Sequence, residues 1–253
     1  MKTKKLVAIL AIASIVLTSA CKKDDVNPST PSNPTPTTPV VIPVQTTTQT
    51  PVPLAGAMNM AVLAGSSVTN TGATVITGDL GLSPGTSVGG FPPGILNGTL
   101  HINDAIANQA KLDITAAYNN AAARTATDIV ILSGNIGGLT LTPGLYKSTS
   151  SLALSSGDVT FDALGDANAV FIIQVASSFT ATSGRRVILA GGANPDNIFW
   201  AIGSSATFGT TVAMKGTIIA YQSITFSTGA TLSGRALARN GNVTMAGNTI
   251  IRP

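Results

Sequence analysis

The chain has 253 residues, of which 44% are hydrophobic and only 9% are charged, and its formal net charge is +4. This length accommodates one large domain or two small ones, and the low charge content predicts a surface covered by small neutral side chains. Lys2, Lys4 and Lys5 lie in a segment that we expect to be removed, and the loss of these three lysines leaves a net charge of +1. We therefore expect no nucleic-acid partner, because phosphate binding needs clustered Lys and Arg.

An export signal is predicted at the start of the chain. Basic residues precede an apolar run over residues 6–17, which is too short to span a membrane, and small residues follow it up to Ala20. Cys21, the only cysteine, comes next and resembles the acylated cysteine of bacterial lipoproteins. We therefore expect residues 1–20 to be a lipoprotein signal peptide and Cys21 to carry a lipid that anchors the protein in a membrane. An ordinary secretory signal is the alternative, because Thr18 stands where lipoprotein signals prefer leucine.

The residues after Cys21 bear on localisation and on domain organisation. The run KKDD at residues 22–25 resembles the tag of Bacteroidetes-type lipoproteins on the outer cell surface, which implies an outer-membrane anchor, with secretion as the alternative. A chain with one cysteine forms no internal disulfide, so packing and backbone pairing must stabilise the fold. Proline recurs every few residues up to Pro53, which predicts a Pro/Thr-rich tether over residues 21–53 and a single domain over residues 54–253.

One long helix is predicted over residues 103–123, with Asn103 or Asp104 as the N-cap. Apolar residues recur along it at spacings of three and four, which is typical of an amphipathic helix. The face that we expect to be buried consists of Ile106, Ala110, Ile114, Ala117, Tyr118 and Ala121.

The C-terminal part contains three coils of about eighteen residues, which begin at Phe199, Thr217 and Arg235. An earlier coil from Phe171 has the same pattern if residues 185–197 are an insertion. Eighteen residues divide into three strands of about five with tight corners, which predicts a mainly β fold, a triangular β-solenoid. Side chains alternate along a strand, so the central threonines should form an outward file with a spacing of about 4.7–4.9 Å. The triplets that contain them are Ala206-Thr207-Phe208, Ile224-Thr225-Phe226 and Val243-Thr244-Met245.

Several longer segments resemble the microbial ice-binding protein family. The most specific are NMAVLAGSSVTNTGATVITGDLG, which begins at Asn59, and ATLSGRALA, which begins at Ala230, and the resemblance covers nearly all of residues 54–253. It implies a discontinuous right-handed β-solenoid with the long helix packed along one side. N-terminal strands supply part of the solenoid, the helix follows, and later coils complete the stack out of sequence order. It also implies an ice-binding function through one flat face, in some members with the motif Thr-Ala/Gly-X-Thr/Asn.

That motif occurs at residues 71–74 and 228–231, and residues 180–183 match it except at the last position. With the resemblance, these matches and the central threonines of the coils predict that the chain adsorbs to ice and inhibits ice growth and recrystallisation. A monomer is the default expectation for its oligomeric state. The predicted ice-binding residues are Thr71, Thr74, Thr180, Thr182, Thr207, Thr225, Ser227, Thr228, Thr231 and Thr244.

The chemistry of threonine suits an ice surface. Ice offers no charge and no pocket to grip, so a binder must present many weak contacts on a rigid surface that loses little entropy on docking. Branching at Cβ restricts χ1 of threonine and fixes where its hydroxyl and methyl groups point. Charged groups would hold water in shells that compete with the lattice, which accounts for their scarcity. For a single threonine, the alternative is that it is only a good strand former.

An enzyme is disfavoured by the same sequence. His101 is the only histidine, so a metal site of the usual type has no second histidine. The paired glycines are not followed by Lys and then Ser or Thr, so the sequence contains no phosphate-binding loop. Asp79, Asp158, Asp162 and Asp166 lie beside Gly and Asn, which favours turn positions over paired catalytic carboxylates. We therefore expect neither catalysis nor a metal or cofactor.

A cell-surface adhesin or glycan-binding module is the alternative function, and a structural role in a surface layer also stays open. Sugar-binding platforms need exposed aromatic rings. Trp200, the only tryptophan, lies among apolar neighbours, where a core position is expected. Tyr118, Tyr146 and Tyr221 are too far apart in the sequence to indicate a platform.

Overall fold

The computed structural model describes residues 42–253, and the predicted signal peptide and Cys21 lie outside them. The described part is a β-solenoid of parallel strands with one long α-helix, which confirms the predicted fold class. Within this part, no helix is long and apolar enough to cross a membrane.

Seven short strands precede the helix, after a 3₁₀ turn at Ala55–Asn59. They are β1 (Met60–Ala64), β2 (Ser67–Thr71), β3 (Val75–Thr77), β4 (Asp79–Leu82), β5 (Ser87–Gly89), β6 (Ile95–Asn97) and β7 (Leu100–Ile102). The helix α1 spans Ala105–Ala123.

The remaining strands follow the helix, with a second 3₁₀ turn at Pro195–Asn197 between β16 and β17. Those before this turn are β8 (Val130–Ile131), β9 (Gly134–Asn135), β10 (Thr140–Leu141), β11 (Gly144–Ser148), β12 (Leu152–Leu154), β13 (Val159–Asp162), β14 (Phe171–Val175), β15 (Phe179–Ala181) and β16 (Val187–Ala190). Those after it are β17 (Ile198–Ile202), β18 (Ala206–Phe208), β19 (Ala213–Ala220), β20 (Ile224–Phe226), β21 (Thr231–Ala238), β22 (Val243–Ala246) and β23 (Thr249–Ile251).

These strands form three faces of the solenoid. The helix face consists of β7, β4, β1, the second halves of β21 and β19, and then β17, β14, β11 and β8. The threonine face consists of β5, β2, β22, β20, β18, β15, β12 and β9 in spatial order. The third face consists of β6, β3, β23 and the first halves of β21 and β19, followed by β16, β13 and β10.

The stack is discontinuous, as the resemblance implies. On the threonine face, N-terminal β2 pairs with β22 near the C-terminus, so that Val68 lies beside Val243. On the third face, β3 pairs with β23 and places Ile76 beside Ile250. N-terminal strands therefore extend the C-terminal coils at one end of the solenoid.

The coils differ from the predicted layout in two details. The predicted insertion at residues 185–197 contains β16, which pairs with β13 and supplies a strand of the third face. The threonine-face strands β15, β18 and β20 have three residues each, whereas β19 and β21 have eight because they continue around a corner. Gly216 and Gly234 occupy that corner with φ of 101° and 153°, and a Cβ on Gly234 would lie 1.9 Å from the Gly216 carbonyl oxygen. Only glycine fits such a left-handed corner between closely stacked rungs.

The interior contains a column of aromatic rings that crosses the coils. The rings of Phe208 and Phe226 stack with centroids 4.8 Å apart, and Phe179 lies 6.1 Å from Phe208 and 5.0 Å from Trp200. Trp200 is fully buried, and its Nε1 donates a hydrogen bond to the Lys215 carbonyl oxygen at 3.0 Å. This confirms the predicted core position of Trp200 and explains how a polar indole is satisfied there.

The helix packs its small residues on the helix face. Asp104 is the N-cap, since its carboxylate accepts a hydrogen bond from the Ala107 amide at 2.8 Å. Ala110, Ile114, Ala117 and Ala121 are buried as predicted, against residues such as Leu63, Ile172 and Phe199. The prediction for Ile106 was wrong: this residue is 53% exposed, and Ala107 is buried in its place because the first turn meets the solenoid one position later.

Residues 42–53, which the sequence assigns to the tether, run along the domain. The Gln45 side chain accepts a hydrogen bond from the Leu145 amide at 2.8 Å, and the Asp128 carboxylate accepts from the Thr47 amide at 2.9 Å. Such hydrogen bonds lower the pKa of Asp128 far below its ordinary value. Val52 is buried in the cluster that includes the inner side of the helix. The folded part therefore begins before residue 54, because backbone contacts and one apolar side chain extend it.

The aspartates of the predicted turns have structural partners. Asp158 and Asp166 lie in loops as expected, whereas Asp162 ends β13 and accepts a hydrogen bond from the Leu164 amide at 2.9 Å. Asp79 begins β4 instead of occupying a turn, and its carboxylate accepts from the Thr99 amide at 2.8 Å. These contacts connect neighbouring rungs or shape loops.

Candidate functional site

A central file of outward side chains crosses the threonine face. Thr180 lies beside Thr207, Thr207 beside Thr225, and Thr225 beside Thr244 on successive rungs. Parallel pairing in register places such side chains one above the other, about 4.7–4.9 Å apart. The complete file, in spatial order, is Asn135, Ala153, Thr180, Thr207, Thr225, Thr244, Thr69 and Gly89. The predicted file of three threonines is confirmed and extends to five.

A second file, mostly of serine, runs beside the first. Its members precede those of the central file by two residues and so point to the same side. They are Ser151, Ser178, Ser205, Ser223, Asn242, Ser67 and Ser87. Hydrogen bonds connect them along the stack: Ser151 Oγ lies 2.9 Å from Ser178 Oγ, and Ser223 Oγ donates to Asn242 Oδ1 at 2.7 Å. The ladder restricts these hydroxyl groups to fixed directions.

A third file follows the central one by two residues and completes the width of the face. It contains Ser155, Thr182, Gly209, Ser227, Ala246 and Thr71. Backbone hydrogen bonds continue the ladder here, for example from the Thr182 amide to the Leu154 carbonyl at 3.0 Å and from the Gly209 amide to the Ala181 carbonyl at 2.8 Å. The Thr182 hydroxyl donates to the Ser155 carbonyl at 3.1 Å.

The side chains between these files point inward and are fully buried. Ala206 and Phe208 flank Thr207, and Ile224 and Phe226 flank Thr225. Close packing of such residues holds every rung in place. Rigidity of the threonine face therefore derives from the core and from the backbone ladder together.

The threonine face differs from the other faces in charge and in relief. None of its three files contains Asp, Glu, Lys or Arg. The third face places Lys215 beside Ser233 and has the exposed apolar side chains Ile188 and Ile251, so its surface is uneven and partly charged. The helix face is covered by α1. The threonine face is thus the uncharged and open surface of small side chains among the described residues.

Seven of the ten predicted ice-binding residues lie on the threonine face, namely Thr71, Thr180, Thr182, Thr207, Thr225, Ser227 and Thr244. Thr74 does not: it is completely buried, and its hydroxyl accepts a hydrogen bond from the Asn248 amide at 3.0 Å. Thr228 is exposed in the turn after β20, and Thr231 lies on the third face beside Thr249. A four-residue motif that spans a corner cannot place both of its threonines in one plane.

Sequence reasoning missed Thr69 and the serine file. Thr69 lies in Val68-Thr69-Asn70, a triplet like Val243-Thr244-Met245, and β2 joins the stack beside β22. The serines were visible as a recurring position two residues before each central threonine, as in Ser205 and Ser223. Both signals depend on the alternation of strand side chains rather than on the four-residue motif.

The other candidate residues have structural surroundings. His101 is buried, and its Nδ1 lies 2.7 Å from the Asp104 carboxylate, which caps the helix. The hydrogen bond from the Ala107 amide is the main cause that lowers the pKa of Asp104, and the contact with His101 acts in the same direction. Within residues 42–253, no group of three His, Cys, Asp or Glu side chains is arranged to hold a metal ion.

Comparisons with known proteins agree with this geometry. The sequence model of the family described as Ice-binding-like matches residues 62–251. The chain is 48% identical over 199 residues to an ice-binding protein of Nostoc sp. (strain HG1), covering 78% of this chain and 72% of the relative. It is 33% identical to an ice-binding protein of Flavobacterium frigoris (strain PS1), over the full length of both. The crystal structure of an ice-binding protein from an Antarctic biological consortium superposes with a TM-score of 0.83 and 76% sequence identity, covering 83% of this chain and 95% of that one.

Proposed function

Because this chain belongs to the Ice-binding-like family, we propose that it adsorbs to ice crystals through the threonine face and thereby inhibits ice growth and recrystallisation. The observation that carries the choice of face is its three parallel files of small, uncharged side chains in register. No other open face among the described residues combines flatness with the absence of charge.

The proposed mechanism depends on many weak contacts at once. Each of the five rungs with a central threonine presents a hydroxyl that donates to or accepts from surface water, and a methyl that packs in the space between water molecules. The hydroxyls of Ser151, Ser178 and Ser223 in the serine file already have partners along the stack, so they order the water above them in fixed directions. A preformed sheet loses little conformational entropy when it docks, so small gains per rung add up to lasting adsorption.

A steric substitution tests this assignment. We expect Thr207→Tyr to raise one side chain above the plane in the middle of the threonine face and to remove most of the thermal hysteresis. Thr231→Tyr is the matched control, because Thr231 is also an exposed strand threonine but lies on the third face. The assay is growth arrest of a single ice crystal under a cooling-stage microscope, with thermal denaturation to show that both variants fold. Equal loss in both variants, or none in Thr207→Tyr, would reject the threonine face.

Localisation and lack of catalysis belong to the same proposal. We infer export and acylation at Cys21 from the signal-like N-terminus, with the cell surface as the destination indicated by residues 22–25. An anchor of this kind suits attachment to ice or local protection of the cell. We propose no enzyme activity, because the carboxylates of Asp79, Asp104 and Asp162 accept hydrogen bonds from backbone amides and so have structural roles.

A further inference from the structure

A groove runs along the corner between the helix face and the threonine face, beside α1. Ladder hydrogen bonds place Ala176, Gly203, Tyr221 and Arg239 at equivalent positions on successive rungs. Ala176 and Gly203 are small, whereas Tyr221 and Arg239 are large. The corner therefore contains a depression of about 160 Å³ over the two small residues, next to Tyr118. A Cβ on Gly203 would lie 2.3 Å from the Ala176 carbonyl oxygen, so the close packing of the rungs leaves no space for a side chain at this position.

Aromatic and cationic side chains converge at one end of this groove. The ring of Tyr118, on α1, lies 5.8 Å from the ring of Tyr221. The guanidinium carbon of Arg239 lies 5.0 Å from the centroid of the Tyr221 ring and 5.6 Å from that of Tyr118. The expectation that the tyrosines are too scattered to form a platform was therefore wrong for this pair, because the helix and the corner bring distant segments together.

The cations of the groove have no carboxylate partner. Lys147 lines the depression. The ion pairs found in residues 42–253 involve only His101, Arg185 and Arg235 as cations. Arg239 and Lys147 take part in none of these ion pairs, so an anion from outside would be favourable beside them.

The floor also contains a polar side chain with unused hydrogen-bonding capacity. Gln174 is only 5% exposed and lines the depression. Its Nε2 donates to the Ala121 and Arg124 carbonyl oxygens at 2.8 and 2.9 Å, which fixes the amide, while Oε1 has no partner. The Gln174 oxygen is thus oriented to accept a hydrogen bond that no residue described in the structure supplies.

We propose that this groove binds an acidic saccharide, a chain of hydroxylated rings that carries carboxylate groups. Carboxylates pair with Arg239 at one end and with Lys147 along the groove, a sugar hydroxyl donates to Gln174, and ring C–H groups pack against Tyr118 and Tyr221. The groove is elongated and combines separate cations with an acceptor and aromatic rings. A single phosphate would use one cluster of donors only.

This inference goes beyond ice adsorption and is independent of it. The groove and the central file of the threonine face have no residue in common. A protein with both surfaces could hold an extracellular acidic polysaccharide while it adsorbs to ice. Loss of one activity would leave the other intact.

Isothermal titration calorimetry with the full-length protein tests the proposal. Tetragalacturonate should bind, whereas maltotetraose, its neutral counterpart, and sodium phosphate should not. Arg239→Met removes the guanidinium group beside the two tyrosines and should weaken tetragalacturonate binding at least tenfold. Lys147→Glu, at an exposed position, should weaken it as well. Lys215→Met removes one cation from the third face and is the matched control, expected to bind like the unaltered chain.

Three results would overturn the proposal. The first is the absence of tetragalacturonate binding or equal binding of maltotetraose. The second is an equal loss in Lys215→Met, which would indicate general charge attraction. The third is competition by phosphate or binding to vesicles of anionic phospholipid with similar affinity, since either would assign the cations to a different ligand. A cooperative thermal denaturation transition in each of the three variants shows that they are folded.

Discussion

Lys111→Met should stabilise the protein at neutral pH, although it removes a charged residue. Lys111 lies on α1 with a buried ammonium group, and the charge that acts on it is that of Arg239. In the folded state its pKa is lowered from 10.5 to about 8 by burial and by Arg239. The protonated side chain therefore opposes folding.

The pH window follows from the sign of this shift. Below pH 8 the lysine is charged in both states, and the full penalty applies to the folded chain. Between pH 8 and 10.5 the folded chain has released the proton and the unfolded chain has not, so stability rises with pH across this window. The shift would correspond to roughly 3 kcal/mol for a completely shielded group, and because solvent reaches part of the side chain we expect about 1 kcal/mol.

Urea denaturation at a series of pH values measures this effect. Lys111→Met should be more stable than the unaltered chain by about 1 kcal/mol at pH 7. This difference in the free energy of unfolding should shrink between pH 8 and 10.5. The other lysines are present in both chains, so their titration does not contribute to the difference. A variant that is less stable at pH 7, or a difference that does not change with pH, would refute the account of Lys111 as an unpartnered cation.

Three further predictions concern the core, the N-terminal segment and the lipid. Phe208→Ala should lower the free energy of unfolding in urea by about 3–5 kcal/mol, because Phe208 is buried between Phe179 and Phe226; a cost well below this would show that the aromatic column is loosely packed. A chain that begins at residue 54 should be less stable than one that begins at residue 42, by on the order of 2 kcal/mol for the lost burial of Val52 and the Gln45 contact, and equal melting temperatures would contradict this. Cys21→Ser should abolish incorporation of a labelled fatty acid when the chain is produced in a bacterial host, and labelling that persists would exclude Cys21 as the acceptor.

The solenoid could be predicted because its signals are local. A period of two within each strand and a repeat of about eighteen residues identify the coils and the outward threonines Thr207, Thr225 and Thr244. The resemblance implied a stack assembled out of sequence order, but the pairing of N-terminal β2 with β22 was not predicted, since no local pattern says which distant strands lie side by side. The bounds of the helix followed from its N-cap and its small buried residues.

The details that sequence reasoning missed depend on how the chain turns corners. Thr74 and Thr231 end motifs of the same sequence, Thr-Gly-Ala-Thr, yet Thr74 is buried and Thr231 lies on the third face. Each motif crosses a corner of the solenoid, and the sequence alone does not show how the chain turns there. The convergence of Tyr118 and Tyr221 depends on where the helix lies across the rungs. Such placements arise from tertiary packing, which periodicity alone does not determine.

A tyrosine scan along the central file tests the ice-binding surface most directly. Thr69, Thr180, Thr207, Thr225 and Thr244 are replaced one at a time, with Thr231 and Thr249 on the third face as controls, and thermal hysteresis is measured at equal protein concentration. The account predicts loss at every position of the file, greatest at Thr207 and Thr225 in the middle, and little change in the controls. Retained activity across the file, or equal loss on the third face, would contradict it.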